Sequence, residues 1–552
     1  RLVALLRAVE TAGGDGGPAE ERLSGASPVS RQQGQCDLAS SCTCPAGGGD
    51  QKRCSEEGLF SRLVDWIQEG VDAHVPASDQ PAAGRIADVL GLGQSPYGGR
   101  AVVALRDVEE REVFMRIPMQ RLMHAGFYKK PDGEWAGADE VPRGSTLTAA
   151  LHRGLHGREF EVFVAPETWL AVYLMEHRAM GTASEWSPYM DLLPVRVEAL
   201  PLFYTEEDWR WLEGSLFGLR VRKYRESLTR QFETLVELVP GLNKTYSLED
   251  FVWARSVISS RVFGWSLPGL PTEDTNFMVP LGDMFNHRSP KQVEWRFNST
   301  SQTLDYRALE RVPAGEELLI SYGGKSNAEY LLHYGFTVPG VSERQPPLST
   351  VRVQMDLDDS VPDREWRRRW LLRSRLLGPD EELSPEVFEL KANTWKGGGA
   401  ESMLGYARLL SIPEGELERR MSGRSCRRFA TPPRCEQALG LENELAALRR
   451  CMATVSSALK AYPESLEEDE ALLPTLSGLP RMLVILRRDE KVVLRHWLRF
   501  FELALSLADG PVDAVEARAK EAFGKYSPEA SYLCTTLAVV ISLERGSSTV
   551  GG

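Results

Sequence analysis

No stretch of the 552 residues approaches the roughly 20 consecutive apolar positions that a helix needs to cross a bilayer, so no membrane span is expected. Positive charge is also short: 65 lysines and arginines face 78 aspartates and glutamates, for a formal net charge of -13. Phosphate attraction dominates nucleic-acid affinity, so this deficit speaks against a nucleic-acid binder with a broad basic surface and favours a basic or neutral protein partner. The basic run Arg364 to Arg375 (REWRRRWLLRSR) reads first as a solvated helix face. Cysteine is sparse at eight and lacks the paired C-x₂-C spacing that makes a zinc reading strong, so no metal is expected. Cys36, Cys42, Cys44 and Cys54 share one Gly/Ser/Pro-rich stretch and read as free thiols of a flexible segment. Cys426, Cys435, Cys451 and Cys534 are scattered and read as reduced, partly buried residues of an intracellular protein.

A chain of this length exceeds what one hydrophobic core organises, and at least two folded units are expected. Residues 11 to about 56 are dominated by Gly, Ser, Pro, Ala and Gln, a composition that cannot bury enough surface to order itself. Arg1 to Glu10 suits a short amphipathic helix or the remains of a transit peptide equally well. From Leu59 the pattern changes: Leu59, Phe60, Leu63, Val64, Trp66 and Ile67 recur at helical spacing. Gly98 to Pro118 reads as two short strands joined in a hairpin by the polar turn Asp107 to Arg111. Thr168 to Met180 is helical by period, and Trp186 to Pro194 closes it with a Pro-bounded turn.

Glu206 to Ile258 is helical almost throughout, with Trp209, Trp211, Leu212, Leu216, Phe232, Leu235, Val236 and Leu238 as candidate core. Short apolar runs bounded by turn residues return over 277–340, so a β fold resumes there. After Pro346 the helical period holds to the end, through Leu441 to Tyr462, Arg481 to Ala508 and Val512 to Phe523. Helical units of this kind commonly present a surface or a groove.

Two segments carry chemistry. In Val279 to His287 (VPLGDMFNH) a polar pair, Asn286 and His287, stands at the end of an apolar run; alone it reads as a capped turn with a core histidine. In Glu316 to Phe336 (EELLISYGGKSNAEYLLHYGF) a strand ends at Tyr322, a Gly-Gly turn follows, Ser326 and Asn327 cap a helix, and the run closes on Tyr334, Gly335 and Phe336. Alone it is a strand, a turn and a helix with an aromatic core. Together, in this order and spacing, the two segments resemble the SET domain of the Rubisco large-subunit methyltransferase family. Three further stretches are similar to that family: Gly98 to Pro118, Trp186 to Pro194 (WSPYMDLLP), and Ser260, Arg261 and Phe263. In the C-terminal part, Tyr462 to Leu472 and Ile485 to Leu494 resemble its substrate-binding domain. The likeness covers roughly residues 57 to 540; the long cysteine-bearing leader and the spacer GWSLPGLPTEDTN after Phe263 depart from it.

The resemblance implies an α+β fold: a β-rich SET domain over residues 57–340 with a helical insert at about 197–260, a leader over 1–56, and an all-α substrate-binding domain over 341–545. It implies transfer of a methyl group from S-adenosylmethionine to a lysine of a protein substrate, with Tyr322 as the catalytic residue. Arg261, Asp283, Asn286, His287, Tyr334 and Phe336 would bind the cofactor, Arg261 through its carboxylate, and Phe263 and Trp295 would line the substrate channel. A related branch modifies a histidine of actin and has a polar asparagine where this chain has Phe263; Phe263 and Tyr334 follow the lysine-modifying pattern. Histidine methylation and a catalytically silent SET-fold interaction module are the alternatives. No glycine-rich loop of the kind that small-molecule methyltransferases place after a first parallel strand is evident. A monomer is expected, in the cytoplasm or a plastid.

Overall fold

The computed structural model describes residues 55–544, leaving out 77–83, 97, 125–144, 157, 159–161, 163, 265–275, 339–349, 376–384, 393, 396–397, 414, 418–425, 428–433, 509, 512 and 525–526. The expected leader with its four cysteines, and most of the spacer after Phe263, lie outside the described residues. Ser55 accepts the Gly58 N–H at 3.1 Å and starts helix α1 (Glu56–His74), whose first-turn Glu56 and Glu57 suit the positive end of the helix dipole. Its residues Leu59, Phe60, Leu63, Val64 and Ile67 are buried, as their spacing predicts.

Strand β1 (Leu90–Gln94) pairs antiparallel with β2 (Arg100–Ala104), while β3 (Val113–Pro118) joins the sheet β3-β8-β7, in which β7 is Val293–Asn298 and β8 Thr303–Ala308. The hairpin expected between β2 and β3 therefore does not form. Glu112 closes the intervening turn on itself, accepting from Arg106 at 2.6 Å and from the Glu109 N–H at 2.8 Å. Each strand then finds a partner that buries its apolar side: Phe114, Met115 and Ile117 of β3 and Leu304 and Tyr306 of β8 are all buried.

Helices α2 (Thr146–Leu155), α3 (Pro166–Met180), α4 (Phe217–Leu238) and α5 (Leu248–Arg261) come between the two strand regions. Of the core positions expected here, Leu212, Leu235 and Leu238 are buried, whereas Trp209, Trp211, Leu216, Phe232 and Val236 are half-buried. A reciprocal cap between Ser247 and Asp250 starts α5. It ends at Arg261, in the last turn where a cation suits the dipole, and runs straight into β4 (Val262–Gly264), which pairs with β5 (Asn276–Met278).

The chain then turns tightly through 279–285. Leu281 is fully buried at φ 68, a strained value for a leucine. A Cβ at Gly282 would collide with the Tyr306 hydroxyl, so only glycine fits. Strand β6 (Asn286–His287) follows and lies parallel to β9 (Leu319–Ile320), Asn286 opposite Leu319 and His287 opposite Ile320. A second reciprocal cap, Ser326 with Glu329, starts α6 (Asn327–Tyr334), and Gly335 ends it in the left-handed region at φ 77.

The C-terminal part is mostly helical but not all-α. Its longer helices are α7 (Arg364–Arg375), α8 (Gly399–Leu410), α9 (Leu441–Lys460), α10 (Leu466–Leu472), α11 (Gly478–Ala508) and α12 (Asp513–Phe523). Two small antiparallel pairs accompany them: β10 (Thr350–Met355) with β11 (Glu386–Lys391), and β12 (Cys426–Arg427) with β13 (Arg434–Cys435). Val351, Val353 and Met355 alternate inward and meet Phe388 and Leu390, the period of two that marks a half-buried strand. The reduced state expected for all four C-terminal cysteines holds at two of them and is corrected at Cys435. Cys435 is disulfide-bonded and lies opposite Cys426 in the β12–β13 pair; Cys451 and Cys534 are free thiols.

Two apolar cores result. One gathers buried residues from Leu59 to Leu332, the other from Val351 to Ile541, and α11 joins both: Leu483 and Leu486 pack in the first, Val493, Leu494 and Trp497 in the second.

Candidate active site

The β6–β9 pairing carries Asn286 and His287 to within hydrogen-bond reach of the chain just past β9. Tyr322 stands two residues beyond that strand, and its backbone N–H donates to His287 Nδ1 at 3.0 Å. The imidazole therefore carries its proton on Nε2, which faces the Tyr330 hydroxyl at 3.1 Å; that hydroxyl donates to the Gly323 carbonyl at 2.6 Å. Burial, with the Lys325 charge adding to it, pulls the His287 pKa down to about 4, so the ring is a neutral clamp rather than a base.

The Tyr322 hydroxyl donates to the Phe285 carbonyl at 2.8 Å, which fixes the ring across the 279–285 turn. Burial raises its pKa, against the opposing pull of the Arg261 charge, and the phenol stays protonated at neutral pH. Aromatic rings surround it: Tyr334 stacks on Tyr322 at 4.9 Å between centroids, Phe336 stands edge-on at 6.1 Å, and His287 lies at 5.2 Å. Tyr330 in turn stacks on Phe336 at 5.0 Å. Helix α6 supplies Tyr330 and Tyr334 from one face, four residues apart, and the left-handed Gly335 turns the chain so that Phe336 faces the same cluster.

Behind the turn, Arg261 Nη1 lies 3.4 Å from Asp283 Oδ2 and donates to the Asp283 carbonyl at 3.2 Å. The Tyr189 hydroxyl donates to the same carboxylate at 2.6 Å. Burial works against the Arg261 charge, but Asp283 outweighs it and the guanidinium is held above its usual range. Among the described residues three polar atoms of this region are buried without a partner: Arg261 Nε, Asp283 Oδ1 and the Tyr306 hydroxyl. Asn286 Nδ2 donates to the Arg100 carbonyl at 2.8 Å and to Glu317 Oε1 at 2.6 Å.

Of the residues singled out in the sequence, Tyr322, His287, Tyr334 and Phe336 form one cluster, with Asn286 beside His287 on β6 and Arg261 with Asp283 behind the 279–285 turn. Phe263 and Trp295 form a separate pair, edge to face at 5.3 Å, with Trp295 opposite Tyr306 in the β7–β8 register. Tyr306 stacks on Phe285 at 5.4 Å, and Phe285 is the residue whose carbonyl holds Tyr322. The sequence reading gave no role to Tyr330, Glu317, Arg100 or Tyr189; of these Tyr330 carried a signal, being one helical turn before Tyr334, and Tyr189 lay inside the family-like run Trp186 to Pro194. A cavity of about 720 Å³ lined by Gly214, Arg352, Arg449, Arg450 and Tyr462 lies elsewhere and touches none of these side chains.

A SET-domain family model matches residues 99–323 and a model described as Rubisco LSMT substrate-binding matches 358–494. Among curated proteins the chain is similar to the actin-histidine N-methyltransferase of Xenopus tropicalis, 25% identical over 458 residues covering 80% of this chain and 70% of that one. The human enzyme of the same name is 26% identical over 453 residues, covering 79% of this chain and 67% of its own. Among solved structures, the SET domain of LSMT bound to lysine and AdoHcy aligns with TM-score 0.57 at 20% identity, over 80% of this chain and 91% of that one. Rubisco LSMT bound to AdoMet aligns equally well, with TM-score 0.57 at 20% identity over 82% and 93%. With both models matched in order and the fold shared over four-fifths of its length, the chain carries a SET domain followed by a Rubisco LSMT substrate-binding domain.

Proposed function

We propose that the protein is an S-adenosylmethionine-dependent protein methyltransferase acting on a lysine side chain, with Tyr322 at the reacting centre. The observation that carries this reading is Tyr322 itself: a half-buried tyrosine, fixed through its hydroxyl on the Phe285 carbonyl and walled by Tyr334 and Phe336. The residues present fit the cofactor. Arg261 Nε, buried and without a partner among the described residues, suits a carboxylate, for which the planar guanidinium fork is well matched. Asn286 and the backbone of His287 would hold the amino-acid and adenine ends, and Tyr334 and Phe336 would wall the nucleoside. When bound, this cofactor supplies a methyl group on a positively charged sulfur, ready for in-line displacement.

The protein's own task is then to align an amine and keep water out. Tyr322 orients by its fixed hydroxyl and excludes water by its ring. It does not act as a base, because burial keeps its proton on; His287 does not either, with both ring nitrogens engaged. The acceptor amine must therefore arrive neutral, and desolvation beside a cationic sulfur lowers a lysine's pKa in that direction.

Lysine is favoured by Phe263, whose edge-to-face packing on Trp295 makes an apolar wall suited to an alkyl chain. A second reading, transfer to histidine, is favoured by the relatives named above, which are actin-histidine N-methyltransferases at 25% and 26% identity. Paired peptides that differ only in lysine or histidine at the acceptor position separate the two. Incubated with the labelled cofactor, the lysine peptide takes up label on this proposal, and label confined to the histidine peptide overturns it.

A further inference from the structure

The Asn286 amide is held in one orientation by groups that can only accept. Its Nδ2 donates one hydrogen to the Arg100 carbonyl at 2.8 Å and the other to Glu317 Oε1 at 2.6 Å. Neither a carbonyl nor a carboxylate has a hydrogen to return, so turning the amide over would set its oxygen against two other oxygens. Glu317 is fixed in turn. Its second oxygen, Oε2, accepts from the Ser95 hydroxyl at 3.1 Å, and its backbone is bridged to Val103 of β2.

With both hydrogens spent, the side chain has only Oδ1 left to offer a ligand. A freely turning amide presents a donor or an acceptor and accommodates either sign of partner; this one presents an acceptor alone and so prefers a cation. We infer that Glu317 is a positioning residue that locks Asn286 as an acceptor and thereby selects the ammonium group on the amino-acid end of the methyl donor. The inference rests on the methyl-donor reading above. Glu317 also contributes directly: its charge is felt at the Tyr322 hydroxyl, so it favours positive charge in the space beside the reacting centre.

Titration calorimetry with two ligands tests the assignment. S-adenosylhomocysteine carries the amino-acid end, whereas methylthioadenosine has the same nucleoside and thioether without it. Glu317→Gln gives Asn286 a neighbour that can donate as well as accept, and so frees the amide to turn. It is expected to weaken S-adenosylhomocysteine about tenfold, the loss expected for one hydrogen bond to a charged group, and to leave methylthioadenosine within about twofold. Ser95→Ala, which releases the far oxygen of Glu317, is expected to weaken S-adenosylhomocysteine by about two- to threefold with the same indifference of methylthioadenosine. Equal weakening of both ligands by both variants, or no weakening of either, overturns the assignment. A wild-type protein that binds neither ligand overturns the methyl-donor reading itself, and this inference with it.

Discussion

Tyr322 contributes to the site through two separate groups. Its backbone N–H is spent on His287 and its hydroxyl on the Phe285 carbonyl, so removing the hydroxyl leaves the backbone anchor intact. Tyr322→Phe is therefore expected to cost about 1 kcal/mol of stability, the worth of one hydrogen bond, while methyl transfer falls by roughly a hundredfold or more; unfolding and initial-rate measurements on the same preparation check both. His287 gives a prediction about pH. With its pKa pulled down to about 4, it stays neutral from pH 5 to 8, whereas in the unfolded chain it charges near its ordinary value of 6.5. The unfolded state then binds the extra proton, so this group removes stability as pH falls from about 6.5 towards 4. A His287 imidazole resonance that titrates between pH 6 and 7 contradicts the clamp. Tyr322, Asn286 and His287 were legible because unusual residues fell in a recognisable order. The roles of Glu317 and Tyr189 were not: each sits in a family-like run, but its partner lies 31 or 94 positions away, and only the folded chain brings them together.

Helix α6 is the element that turns sequence order into site geometry. Its cap was read at Ser326 and Asn327, and the structure completes it with Glu329; its end lies at Gly335, at a left-handed φ of 77, where a Cβ would lie 2.7 Å from the Ala199 Cβ. Gly335→Ala is expected to cost about 1–3 kcal/mol in urea unfolding and to weaken cofactor binding by displacing Phe336. Unchanged binding at reduced stability separates the helix end from the site. The strand partners were the least legible feature. The strand segments of Gly98 to Pro118 were read correctly, but β2 and β3 pair with β1 and β8, because a polar turn that closes on its own Glu112 gives local pairing no advantage over a buried face. The β10–β11 pair went unread for a related reason: two runs of six residues alternate inward and outward within a background of helical spacing.

On the scale of the whole molecule, α11 ties the C-terminal helices to the catalytic half. Asn327, first residue of α6, donates to Asp489 at 2.7 Å, Arg487 donates to the Trp211 carbonyl at 3.2 Å, and Tyr462 donates to Glu490 at 2.9 Å. Glu490 is fully enclosed, and burial pushes its carboxyl up to about 7 against an ordinary value of 4.5. Between those values the folded state keeps a proton that the unfolded state has lost, so stability falls as pH rises from 4.5 to 7 and is level above that. Glu490→Gln is expected to unfold at a higher temperature than the parent at pH 8, by the equivalent of about 3 kcal/mol, with the difference shrinking towards pH 5; a difference independent of pH contradicts the assignment. The sequence showed that Ile485 to Leu494 was informative, but not that its charges are buried across a junction, since charge runs on helices usually face water. Methyl transfer at Tyr322 is checked by incubating a whole-cell protein extract with labelled S-adenosylmethionine, with the intact protein and Tyr322→Phe side by side and the modified residues identified by mass spectrometry. The expected result is label on lysine that all but disappears in the variant; label that persists undiminished in Tyr322→Phe contradicts the account.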